Sequence, residues 1–197
     1  MTHPVTIHFK GDRTYAQIAD IFTHMVGAAG ATAGQDLLFS VHKPLLTPFA
    51  SVELVPTGDT PAPGFAARLD FVDAKGERYQ AVVYPAPRDE PFPRRAFDEE
   101  ALREKITLEG QSAMIEVPVD NDFAELITAM NKKLLQALFP QDDKKWWAVR
   151  LQLKTFQTEW QNVVLTCKTT QLSRVYNTKI AVDGVEIGEI SFVARPA

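Results

Sequence analysis

Cysteine occurs once in the 197 residues, at Cys167. That excludes an internal disulfide and any multi-cysteine metal site, and makes a reducing compartment the expected one. No apolar run reaches the roughly 18 residues of a membrane-spanning helix, and the opening MTHPVTIHF lacks the basic flank and apolar stretch of an export signal. The expectation is a soluble cytoplasmic chain with no membrane span. Neither sign of charge dominates: 9 basic residues face 10 acidic ones up to Arg95, and 12 face 15 after it, for a formal net charge of −4. A broad positive field for nucleic acid is therefore absent, and nucleic-acid binding is not expected. The four histidines, His3, His8, His24 and His42, show neither HxxxH nor HExxH spacing, so no metal is expected. Gly27, Gly30 and Gly34 form neither a Walker loop nor a dinucleotide fingerprint, Ser40 and Ser51 lie in no GxSxG elbow, and no cofactor is expected.

With 45% hydrophobic residues the chain has the composition of a packed globular protein. Its most informative feature is a faint internal duplication. An opening strand and an amphipathic helix are followed by strand-like segments, twice, at a near-constant offset. Tyr15 aligns with Phe123, Leu37 with Trp147, Val52 with Val163, and Ala86 with Ala197. Both halves close with a hairpin pattern and Pro-Ala. The domain reading is a first α+β repeat over 1–86, a charged, Pro-rich linker with a short helix over 87–111, and a second α+β repeat over 112–197.

In the first repeat the spacing predicts a helix from Thr14 to Val26, with Thr14 and Gln17 as a capping box and Asp20 and His24 on the solvated side. In the second, Phe123, Leu126, Ile127, Met130, Leu134 and Leu138 form a buried stripe that starts at the cap Asp122 and stops at Pro140. Strand alternation puts Val5, Ile7 and Phe9 on one face and Thr6, His8 and Lys10 on a wet one, the pattern of antiparallel sheets with one solvated side. Asp73 to Gly76 and Asp183-Gly184 carry turn chemistry. The prolines at 85, 87, 91 and 93 read as an extended connector, and Pro56 to Gly64 as a second loop without a Pro-rich counterpart in the second repeat.

Among candidate chemical residues Glu125 stands out, because it lies next to the buried Leu126 and Ile127 near a helix N-terminus, where a carboxylate is shielded and favoured by the dipole. Its structural role would be the return bond of a capping box. His24 and His42 carry the near-neutral pKa that acid–base work needs. Trp146, Trp147 and Trp160 mark either core packing or an interface or ligand groove; adjacent positions on a strand cannot both face one side. The polar run from Thr166 to Arg174 reads as a sheet edge or a channel wall.

The carriers of the pattern, Val5 to Val26 followed by Leu37 to Ala86, and Met114 to Leu138 followed by Trp147 to Ala197, together resemble a double hot-dog protein. In that superfamily each helix is wrapped by a curved antiparallel sheet about a pseudo-twofold axis. A saddle resembling the TATA-binding protein is the alternative. The hot-dog resemblance implies binding or processing of acyl thioesters, of thioesterase or dehydratase type. Glu125 would then act as base or water orienter and His24 or His42 would move a proton. A hydrophobic or acyl small molecule is the implied ligand. The competing reading is a noncatalytic module that binds a protein partner or a second copy, and whether the chain is an enzyme stays open at this stage.

Overall fold

The computed structural model describes residues 2–116, 121–140, 144–169 and 174–196; Asp142, Asp143 and the middle of the polar run 166–174 lie outside them. The chain divides into two units, one of residues 1–97 with 154–156, the other of 98–153 with 157–197.

The first unit contains β1 (Thr2–Thr6), β2 (Phe9–Lys10), α1 (Ile18–Ala29), β3 (Gln35–Val41), β4 (Phe49–Pro56), β5 (Ala67–Val72), β6 (Arg78–Pro85) and β7 (Arg94–Arg95). Its strands pair antiparallel in the order β1-β4-β6-β5-β3. The helix packs on this sheet through Ile21, Phe22, Met25 and Val26, each at most 2% exposed. The Phe22 ring meets Phe39 of β3 at 5.4 Å.

The helix does not start at the predicted capping box. Gln17 is its N-cap without a side-chain bond, and the chain before it is held by Ala16 N–H donating to the Leu45 carbonyl. At the other end it runs past Val26 to a left-handed Gly30 at φ 66°, a conformation that glycine adopts without a Cβ penalty.

The second unit contains α2 (Glu99–Glu104), β8 (Thr107–Glu109), β9 (Ser112–Glu116), α3 (Phe123–Leu138), β10 (Lys144–Thr155, its last two residues grouping with the first unit), β11 (Asn162–Cys167), β12 (Val175–Val182) and β13 (Val185–Pro196). The order is β10-β13-β12-β11-β9-β8, again antiparallel. Asp122 caps α3 as its sequence predicts, accepting from the N–H groups of Ala124 and Glu125 at 2.9 and 3.4 Å. Five successive residues from Phe123 to Ile127 are buried, so the first turn is enclosed all round, and the helix as a whole packs against α2, β9 and β11. The last turns carry Lys132, whose ammonium lies 2.6 Å from Glu99 of α2.

Each unit thus contains, in chain order, a strand, a long helix and four more strands, the duplicated unit of a double hot-dog fold, with β2 and β7 added in the first and α2 and β8 in the second; the saddle alternative is not adopted. One difference separates the repeats. In the second unit the chain passes from β11 to its neighbour β12, whereas in the first it passes from β4 over β6 and enters β5 on the far side. The Pro-Gly loop makes that crossing. Tyr84 of β6 donates to the Ala62 carbonyl at 3.0 Å and its ring meets Phe65 at 6.4 Å, which ties the loop to the strand it crosses.

The connector after β6 is not a free tether. Phe9 pairs with Arg94 and Lys10 with Arg95 in a short parallel ladder, and the Arg94 guanidinium donates to the carbonyls of Gly11 and Arg13. Phe92 rests edge-on against Phe9 at 5.6 Å.

Candidate functional site

Glu125 is 7% exposed in the first turn of α3. The turn is fixed from two sides: Asp122 holds its N–H groups, and Phe123 packs on the Trp160 ring at 5.3 Å. The carboxylate is thus shielded from water at the N-terminal end of a helix. Trp160 is half-buried, and its indole Nε1, also buried, has no hydrogen-bond partner among the described residues.

The histidines belong to the other unit. His24 is half-buried on α1, and its Nδ1 lies 2.8 Å from the Asp20 carbonyl. A carbonyl only accepts, so that nitrogen carries the proton in the neutral ring and Nε2 is left as the acceptor. His42 is exposed just beyond β3, with its Nε2 3.3 Å from the Ser40 hydroxyl and its ring 4.7 Å from Phe65. No contact joins His24 to His42 among the described residues.

The tryptophans separate as strand geometry requires. Trp146 is buried against Tyr176 at 4.9 Å and Phe139 at 6.5 Å. Trp147 is half-buried with the Arg195 guanidinium 5.6 Å from its ring. A register shift between Ala148 and Arg150 then exchanges the faces, so that Trp146, Leu151 and Leu153 all point inward despite their mixed parity.

Asp20 and Lys10 depart from the sequence expectation. Both were assigned to solvated faces by periodicity, yet Lys10 is 0% and Asp20 8% exposed, with Nζ to Oδ1 at 3.0 Å. Arg95 reaches the same oxygen at 3.0 Å. The reason is tertiary: strand alternation from β1 ends at Thr6, and the connector closes over β2 and buries its last residue. Nothing local to positions 10 and 20 signals this.

Asn131 is the other unanticipated residue. It is wholly buried on α3, four residues after Ile127 and four before Leu135. Here the signal was available, since an asparagine inside an apolar stripe is conspicuous in the sequence.

Among the described residues no three metal-ligating side chains gather, and no helix is long and apolar enough to cross a membrane. The pKa of Tyr84 is raised, first by burial and then by the negative charge of Glu53. That of Lys179 is raised, chiefly by its hydrogen bond to Glu186.

No protein-family model matches the sequence, and no curated protein matches it. Solved structures do. A putative thioesterase II from Thermobifida fusca YX is similar with a TM-score of 0.55 at 11% identity, over 100% of this chain and 92% of that one. The dehydratase domain of PpsC from Mycobacterium tuberculosis, solved in complex with C12:1-CoA, gives 0.54 at 10% identity over 98% and 93%. The inactive mutant of the CurK dehydratase gives 0.54 at 11% over 100% and 92%. At such identities the likeness is one of fold.

Proposed function

We propose that this double hot-dog protein binds acyl groups carried as thioesters and processes them, with Glu125 as the acid–base residue. The observation that carries the reading is the buried carboxylate in the enclosed first turn of α3. The similar structures support it, since one is named a putative thioesterase, two are named dehydratases, and one of these was solved in complex with an acyl-CoA. In this reading Glu125 orients a water or removes a proton beside the thioester. Of the two histidines His24 is the better proton carrier, because the Asp20 carbonyl fixes its tautomer and leaves Nε2 for chemistry.

The test is turnover of a panel of acyl-CoA and acyl-carrier thioesters by the wild type and by Glu125→Gln. Loss of about 10²–10⁴ in kcat with an unchanged circular dichroism spectrum is expected for an acid–base residue. Equal turnover by the two proteins removes Glu125 from the chemistry. The absence of contact between His24 and His42 favours a second, noncatalytic reading, in which the chain holds an acyl group or a partner without consuming it. It predicts an acyl chain retained through purification and no turnover by the wild type.

A further inference from the structure

The turn that follows β2 gathers positive charge. Arg13 N–H donates to the Lys10 carbonyl at 3.2 Å and closes the turn. Arg94 of β7 is docked on it, its Nη1 donating to the carbonyls of Gly11 and Arg13 at 2.6 and 3.1 Å. Lys10 and Arg13 lie over one ring, with Nζ at 4.7 Å and Cζ at 5.6 Å from the Phe97 centroid. Arg95 reaches the Asp20 oxygen that Lys10 also holds. Residues 10–20 and 92–97 therefore bring four cations together with two carboxylates, the buried Asp20 and the exposed Asp12. The acids next in the chain are held within the second unit, where Asp98 caps α2, Glu99 meets Lys132 and Glu100 meets Arg103.

The excess charge sits around a guanidinium that is already positioned. Arg94 is exposed and forms no ion pair among the described residues; its two bonds go to carbonyls and occupy only Nη1. The edge formed by Nε and Nη2 keeps the planar fork of donors that phosphate oxygens match. Two backbone anchors hold the side chain, so little rotamer freedom is left to lose on binding. Lys10 is wholly buried and touches no ligand, but its charge and that of Arg13, over the same ring, lie within about 10 Å of each other, one Debye length at moderate salt. They act on an anion together.

We propose that Arg94, with the charges of Arg13 and Arg95 next to it, binds a phosphate monoester. Such a group carries about −1.5 to −2 near neutral pH, close to the local excess, whereas a carboxylate carries only one charge. Two sources share this chemistry, the nucleotide end of the coenzyme A that carries a thioester and a phosphorylated small metabolite. The first rests on the function proposed above; the second does not.

The site is tested by calorimetric titration of inorganic phosphate into the full chain at low ionic strength, with melting temperatures to confirm folding. Saturable binding is expected, weakened about tenfold in Arg94→Gln and by less in Arg94→Lys, which keeps the charge without the fork. Asp12→Asn removes the opposing charge from an exposed position and should tighten binding about twofold. No saturable binding of phosphate, or equal affinity in Arg94→Gln and the wild type, overturns the proposal. Should Arg94→Gln fail to fold, the Asp12 variant decides, and an affinity no tighter than wild type overturns it as well.

Comparison of coenzyme A with dephospho-coenzyme A, which lacks the monoester, identifies the source. A preference of about tenfold for coenzyme A, lost in Arg94→Gln, assigns the site to the thioester carrier. Equal binding of the two, with inorganic phosphate still bound, upholds the site for another phosphate monoester and leaves the acyl reading to its own turnover test.

Discussion

Gly188 of β13 pairs with Leu153 of β10, and a Cβ there would fall onto the carbonyl oxygen of Gln152. A backbone atom cannot step aside as a side-chain tip can, so Gly188→Ala should force the two strands apart. We expect a loss of at least about 3 kcal/mol, in the range of severe overpacking, read as a large fall in the urea midpoint. A midpoint within error of the wild type would show that β10 has room to move. Asp122 offers a milder case. Its carboxylate meets two N–H groups of α3, so Asp122→Ala should lower stability by about 1 kcal/mol, while Asp122→Ser retains most of the cap.

At the scale of elements, the connector and α1 are bound through a buried charge. Lys10→Met leaves Asp20 nearly inaccessible to water, with Arg95 still in place, and should destabilise by about 3–5 kcal/mol, as removal of one partner from a buried pair does. Pairing it with Asp20→Leu removes the buried carboxylate that has lost its lysine and should recover much of the loss, measurable as a coupling in a double-mutant cycle. Purely additive losses would mean that the two charges act independently. The crossing loop has its own titration. Tyr84 is raised above 10.0, so the folded state holds its proton more tightly than the unfolded state does. Its contribution is complete below the unfolded value and is lost as pH rises from there through the folded value. Absorbance titration near 295 nm should show a late-ionising tyrosine component, and Tyr84→Phe should abolish it.

Much of this level was legible in the sequence. The stripe of α3, its Asp122 cap, the stop before Pro140 and both hairpin turns follow from local periodicity and turn chemistry, which operate over a few residues. Asp20 and Lys10 were not legible, because their burial depends on a connector more than 70 positions away that closes over them. The enclosed site of Glu125 lies between these cases. Its place one turn into a helix was readable, but its burial on every side depends on tertiary packing that the helix pattern does not contain.

For the whole molecule, the two units repeat one order of elements but not one order of strands. From the end of β4 to the start of β5 the chain travels from beside Tyr79 to beside Val83 and crosses β6. That is roughly 17 Å in a straight line, from the residue rise and two strand spacings. Deleting Asp59–Pro63 leaves a connection of about 20 Å at full extension, too short to arch over the side chains of β6. We expect the first unit to lose cooperative unfolding on this deletion, whereas inserting a Gly-Ser segment at the same place should be tolerated. If the shortened protein folds with the wild-type melting temperature, the crossing does not constrain the strand order.

By itself the sequence determined the pair of modules, the presence of a long helix in each and the alternation of their strands, because each of these repeats with the geometry of the backbone and needs only near neighbours. Tertiary structure alone decided which way the first hairpin is inserted and which ionised groups are closed off from water. Those outcomes depend on surfaces brought together from distant parts of the chain, and no pattern read along a single segment contains them.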